Sequence, residues 1–289
     1  MLGQNKAGID IQRLPVNSEE HTFHSWQVSY KQSHILHSKC SSPNNSVCGE
    51  NDEACLFCMY NQQLELPHMP DMVFPNNKLV LKHASDCVIE FNALDALKRV
   101  SNGKLSMKVA CADAWKESRQ EAENLDEVKP FDWTFTTDYK GTLLGNFKIS
   151  STEERINLDK LRQRERILFY HDLTLFEDEL HDNGIAVCSV KIRVMPSSFF
   201  ILLRYFLRVD NVMVRLNDTR FYHEFETDFV LREYTSREAK VKDLKVPAVQ
   251  LIEPSEVAQI LPLVKTEREK LSFPQSVNEA GEGSTVPAT

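Results

Sequence analysis

A chain of 289 residues with 42% hydrophobic content is long enough to bury a substantial core. Its formal charge of -8, with no basic run interleaved with aromatics, argues against nucleic acid and against acidic membrane surfaces as partners. Glycine is scarce, and neither GxGxxG nor GxxxxGK[ST] occurs, which excludes the usual phosphate-cradling loops.

Residues 1–36 read as a loosely ordered segment, polar and unpatterned to Glu20, with one strand suggested by Phe23, Trp26, Val28 and Tyr30. No apolar leader is visible, and no apolar stretch approaches the roughly 20 residues a membrane-crossing helix needs. A cytoplasmic setting, compatible with the nucleus, is expected. Residues 37–65 form a cysteine-rich insertion in which Cys40, Cys48, Cys55 and Cys58 are separated by Ser, Asn, Pro and Gly. Thiolate and imidazole are the ligands of closed zinc sites, and His34 and His37 lie close by. The spacing is irregular and a second CxxC is missing, so the reading adopted is a flexible insertion with no metal and no cofactor. Seven cysteines in all, with Cys87, Cys111 and Cys188 inside apolar patterns, point to reduced thiols.

The compact part starts at Leu66. Leu79 to Leu81 and Val88 to Phe91 read as short strands, and Asn92 caps a helix whose Leu94, Leu97 and Val100 form one stripe. Asp95 stands off that stripe, in the first turn, where the helix dipole favours it. Leu105 to Cys111 predicts a strand and Asp113 to Glu123 a helix. Phe131 to Tyr139 alternates as a strand does. Asn157 should open the longest helix, with Leu158, Leu161, Leu168 and Phe169 buried, and Ile156 before the cap either staples it or faces a partner. A strand from Leu173 to Leu180 then meets an Asn183-Gly184 turn. The cluster Glu177, Asp178, Glu179, His181 and Asp182 reads as a solvated face, since only alternate residues of a strand share a side.

Between Ala186 and Arg220 lie the most buried strands. Ala186, Cys188, Val190, Ile192 and Val194 alternate with Ser189, Lys191 and Arg193, and Pro196 breaks the ladder. A two-residue turn at Asp210-Asn211 would set Val209 opposite Val212, Leu207 opposite Val214, Tyr205 opposite Leu216 and Leu203 opposite Asp218. That register gives an apolar face ended by Asp218. On the other side it places Arg204, Phe206 and Arg208 with Met213, Arg215 and Asn217. Two readings of these arginines follow: pairing with carboxylates of a covering helix, or docking of an acidic, hydrophobic peptide.

Phe221 to Glu224 and Phe229 to Tyr234 add a strand pair, a helix runs from Pro254 towards Pro262, and a second helix is expected from Leu263 to Leu271. Residues 275–289 should be a disordered tail. Residues 66–274 then form a single α+β domain with an antiparallel, sandwich-like sheet core and helices packed around it, expected to be monomeric. No GxSxG elbow and no HExxH is present, which favours a binding protein over an enzyme.

Long strings in this chain, EFNALDAL, KVACADAWKESR, DWTFTTDYKGTLLG, LFEDELHDNG, SVKIRVMPSSFFILLRYFLR, RLNDTRFYHE and LREYTSRE, closely resemble the TIPRL family, the TOR-signalling-pathway regulator-like proteins, from about Leu66 to Phe273. The resemblance implies a non-enzymatic protein that binds the catalytic subunit of protein phosphatase 2A and related type 2A phosphatases, restrains them and acts in TOR signalling. By the family's pattern, Asp95, Ile156, Leu216 and Asp218 fall at phosphatase-binding positions. Leu216 stands where relatives often carry methionine, and Asp210-Asn211 where they carry Asp-Gly. On this reading Arg204, Arg208 and Arg215 hold an acidic, aromatic segment, the phosphatase C-terminal tail. An assembly scaffold without inhibition is one alternative. A zinc module or metalloenzyme using the cysteine insertion is another, of a different class.

Overall fold

The computed structural model describes residues 16–38, 40, 55–64, 66–100 and 134–274. Two antiparallel sheets face each other. The first holds β1 (Asn17–Phe23), β2 (Trp26–Gln32), β4 (Lys78–His83), β5 (Val88–Asn92) and β6 (Thr142–Leu144) in that order. The second has the order β3 (Met72–Val73), β8 (Phe169–Asp178), β9 (Gly184–Val194), β10 (Ser198–Val209), β11 (Met213–Glu224), β12 (Phe229–Lys240), β13 (Leu263–Ser272) and β7 (Lys148–Ser151). Four α-helices are described: α1 (Leu56–Leu64), α2 (Ala93–Lys98), α3 (Leu158–Arg162) and α4 (Pro254–Ile260). None is long and apolar enough to cross a membrane.

Alternation builds the core. One face of β2 (Trp26, Val28, Tyr30), β4 (Leu79, Leu81) and β5 (Ile89, Phe91) packs on the inward residues of β9 and β10, from Ala186 to Val194 and from Phe199 to Val209. Trp26 meets Phe199 edge to face, and Phe91 meets Phe221 likewise. The α+β, sandwich-like architecture is therefore the one expected. Asn92 caps α2, its side chain accepting from the Asp95 N–H at 2.8 Å, and Asn157 caps α3 in the same way.

Several local expectations are overturned. Residues 17–32 are a hairpin whose Trp26 is fully buried in the shared core, and only residues 1–15 of the supposedly loose segment lie outside the described residues. The strand and helix expected over 105–123 also lie outside them. Of the strand expected over 131–139, residues 131–133 lie outside the described residues and 134–139 are irregular, with an isolated bridge from Thr137 to Val100 that belongs to neither sheet. The helix after Asn157 stops at Arg162, because the chain is recruited into the sheet. The Leu168 N–H bonds the Val194 carbonyl at 2.9 Å, and Phe169 opens β8.

Residues 263–271 are a strand and not a helix. Their own sequence is helix-prone, but β12 offers an unpaired edge and oppositely charged cross-strand partners, with Arg232 Nε 2.8 Å from Glu269.

The turn after β10 is one residue longer than expected. Val209 pairs with Met213, the Val212 N–H bonds the Val209 carbonyl at 3.0 Å, and Asn211 takes a left-handed φ of 61°. Because side chains alternate with a period of two, this single extra residue turns all of β11 over.

Candidate partner-binding face of the eight-stranded sheet

With the observed register, Arg204 lies directly opposite Asp218, Phe206 opposite Leu216 and Leu202 opposite Arg220. Asp218 thus belongs to the outer face and does not end an inner one. Met213, Arg215 and Asn217, expected outside, point inward: Arg215 donates to Glu238 and to Thr136, and Asn217 donates to the Thr137 carbonyl. The sequence-based face assignment for β11 is inverted, while that for β10 holds.

Among the described residues the outer face is covered at both ends and open between them. At the hairpin end, Phe206, Val214 and Leu216 are packed beneath Leu251, Val257 and Leu261 from the stretch that leads into and out of α4. At the other end, Ile156 closes over Tyr222 and Leu231, and its N–H bonds Glu233 at 2.9 Å. Between the two lids run Lys191 and Arg193 of β9, Phe200, Leu202 and Arg204 of β10, and Arg220 of β11, all partly or largely exposed apart from one well-fixed carboxylate.

That carboxylate is Asp218. Arg204 grips it bidentately, Nε to Oδ1 at 2.7 Å and Nη2 to Oδ2 at 2.8 Å, and Arg220 adds Nη2 to Oδ2 at 2.7 Å. Burial would lower the Arg204 guanidinium, but its hydrogen bonds to Asp218 and the charges of Asp218 and Glu253 hold it above its ordinary value. One carboxylate between two guanidiniums leaves the strip a net cation. Lys191 is held by Asp172 of β8 at 2.9 Å, while Arg193 donates to the Leu161 carbonyl, so the open strip is basic and half apolar.

Beyond Arg193 and Tyr222 a cavity of roughly 430 Å³ opens beneath α3 and the residues after it, lined among others by Lys160, Arg164, Arg193, Tyr222 and Glu224. Lys160 pairs with Glu224 across its mouth at 2.6 Å, and that bond holds the Glu224 carboxyl below its usual range.

The residues singled out from the sequence are thus dispersed. Leu216 and Asp218 are each 1% exposed and Ile156 is 4% exposed, so a partner reaches them only through the groups packed on them. Arg204, Arg208 and Arg215 are each paired with an acid of their own chain, Asp218, Asp210 and Glu238, but these acids sit on β11, in the hairpin turn and on β12 rather than on a covering helix, because cross-strand neighbours lie within guanidinium reach. Arg208 lies at the hairpin end of the face.

Asp95 is elsewhere, at the start of α2 beside β6, where its carboxylate accepts from Asn92 and Thr142. The 134–139 segment links α2 towards β11, Thr137 Oγ1 donating to the Ala96 carbonyl and Asn217 to the Thr137 carbonyl. Arg193, Phe200 and Leu202 were not singled out although the β9 and β10 rows were legible, and Arg220 joins them only once the β10–β11 register is known. Cys40, Cys55 and Cys58 converge near the N-terminus of α1, and Cys48 lies outside the described residues.

Residues 72–245 match the model of the TIP41-like family. TIP41-like proteins of Homo sapiens and Caenorhabditis elegans are 52% and 41% identical to this chain, over 75% and 83% of it and 81% and 85% of their own lengths. The type 2A phosphatase activator TIP41 of Saccharomyces cerevisiae is 38% identical over 74% of this chain and 67% of its own.

Proposed function

The chain belongs to the TIP41-like family, and from that premise we propose that it is a non-enzymatic regulator of type 2A serine/threonine phosphatases that binds their catalytic subunit. The observation that carries the reading is the open strip of Lys191, Arg193, Phe200, Leu202, Arg204 and Arg220, a basic and half-apolar sheet face walled by two packed lids. Such a strip suits an extended acidic, aromatic segment, with guanidiniums for carboxylates and half-buried side chains for rings. The catalytic subunit's C-terminal tail is the proposed occupant, its terminal carboxylate reaching the cavity beside Arg193 and Lys160.

On this proposal Asp218 orients Arg204 and Arg220, Leu216 and Ile156 shape the walls, and Asp95 makes a separate polar contact near α2. Occupying the tail and the surface around it restrains the enzyme, within TOR signalling and in the cytoplasm.

The test compares binding of the catalytic subunit, intact and lacking its tail, to the wild-type protein and to Lys191→Glu/Arg193→Glu, whose side chains are not buried in the core. Tail removal or charge reversal should each weaken binding at least tenfold, about 1.4 kcal/mol. Unchanged affinity in both removes the strip from the mechanism.

The yeast relative's name, type 2A phosphatase activator, favours a second reading in which binding supports assembly or activity. The two differ in sign: phosphatase turnover falls with added protein on the first and rises on the second.

A further inference from the structure

We propose that Cys40, Cys55 and Cys58 bind one structural zinc ion that clips the N-terminus of α1 to the irregular chain beyond β2. Cys55 immediately precedes α1 and Cys58 is its third residue, so the CxxC places two thiols on the same side of one helix end. The third arrives from the chain beyond β2, which is fixed there by the Leu36 N–H bonding the Val73 carbonyl at 2.6 Å. All three Sγ atoms lie within 4.8 Å of one another, with Cys55 and Cys40 4.0 Å apart. Zn–S bonds of about 2.3 Å in a tetrahedron put sulfurs about 3.8 Å apart, so the trio needs to close by less than about 1 Å.

The chemistry of the place also fits. The positive end of a helix dipole stabilises thiolates, which are the form that binds metal. All three thiols are partly exposed, unlike Cys87 and Cys188, which are sealed in the core, where burial pushes the Cys188 thiol far up. Three mutually adjacent thiols are one more than a disulfide uses. Among the described residues no His, Asp or Glu joins the group, which leaves one tetrahedral corner to a ligand outside the trio.

A metal has a structural task here. α1 has nine residues, too few to be stable by itself, and it is anchored to the core by Tyr60 and Leu64 towards its C-terminal half. Zinc would fasten the other half.

The experiment uses the full chain purified under reducing conditions, equilibrated with zinc and freed of excess. Metal analysis should give about one zinc per chain for the wild type and under about a tenth for Cys55→Ser/Cys58→Ser. Cobalt in place of zinc should give a thiolate-to-metal charge-transfer band only in the wild type. Tyr60 and Leu64 still anchor α1 to the core, so the variant should keep its far-ultraviolet circular dichroism. As a readout free of mutation, zinc should protect the wild-type cysteines Cys40, Cys55 and Cys58 from alkylation, and a chelator should remove that protection. Zinc retained by the double variant, alkylation indifferent to the chelator, or a Cys40–Cys55 disulfide in the purified protein overturns the proposal.

Discussion

Replacing Asp218 by asparagine should destabilise the fold before it touches any binding contact. The carboxylate is 1% exposed and neutralises two guanidiniums, Arg204 and Arg220, whose side chains are 17% and 24% exposed. Removing one partner of a buried ion pair costs about 3–5 kcal/mol, because the remaining charge is stranded. Two corrections reduce that figure. The arginines recover some water at the open strip, and the asparagine oxygen keeps one hydrogen bond, worth about 1 kcal/mol. The net loss is about 2–4 kcal/mol, which lowers Tm by roughly 5–15 °C in a chain of this size. Arg204→Met should cost less, about 1–2 kcal/mol, since Asp218 keeps Arg220. Urea unfolding followed by tryptophan fluorescence, together with thermal denaturation, measures both variants. An Asp218→Asn protein that melts with the wild type yet no longer captures the phosphatase would refute the reasoning, and would make Asp218 a surface contact.

Other perturbations read different parts of the molecule. His223 is buried, its Nδ1 2.7 Å from the Phe229 carbonyl, and burial first, then the nearby His83, bring it down to about 4 despite that bond. It is neutral in the fold and ionises near pH 6.5 when unfolded, so stability is full above that pH and declines as pH falls from about 6.5 to 4, by about 3 kcal/mol. Unfolding free energies at pH 7.5 and 4.5 test this, and His223→Gln should flatten the difference. Gly184→Ala should cost about 2–4 kcal/mol, since φ is +146° and a Cβ would lie 1.9 Å from the Arg208 carbonyl oxygen; an unchanged Tm contradicts it. Trp26→Ala should cost about 3–5 kcal/mol if the 17–32 hairpin is integral to the core, and a loss below about 1 kcal/mol would return that hairpin to the status of an appendage.

What could be read from residues alone was whatever their immediate neighbours decide. The alternation of Ala186, Cys188, Val190, Ile192 and Val194 marked the inner face of β9, Asn92 and Asn157 marked two caps, and the sandwich-like α+β class followed from runs of short strands. The place of the β10–β11 hairpin was legible too, because Asp-Asn between apolar runs is a turn signal. The length of the turn was not. A two-residue and a three-residue loop suit the same dipeptide, and the packing of Phe206, Val214 and Leu216 under the α4 region selects the longer one. Since faces alternate residue by residue, that choice moved Asp218 and Arg220 to the strip and Arg215 to the interior. Residues 263–271 became a strand because β12 had an edge to fill, and Cys40 met Cys55 and Cys58 because β3 fixes the chain beyond β2. Those are contacts between segments far apart in the chain, whose energies depend on partners no local pattern contains; local pattern set each strand's inner and outer rows, and tertiary packing decided which rows face each other.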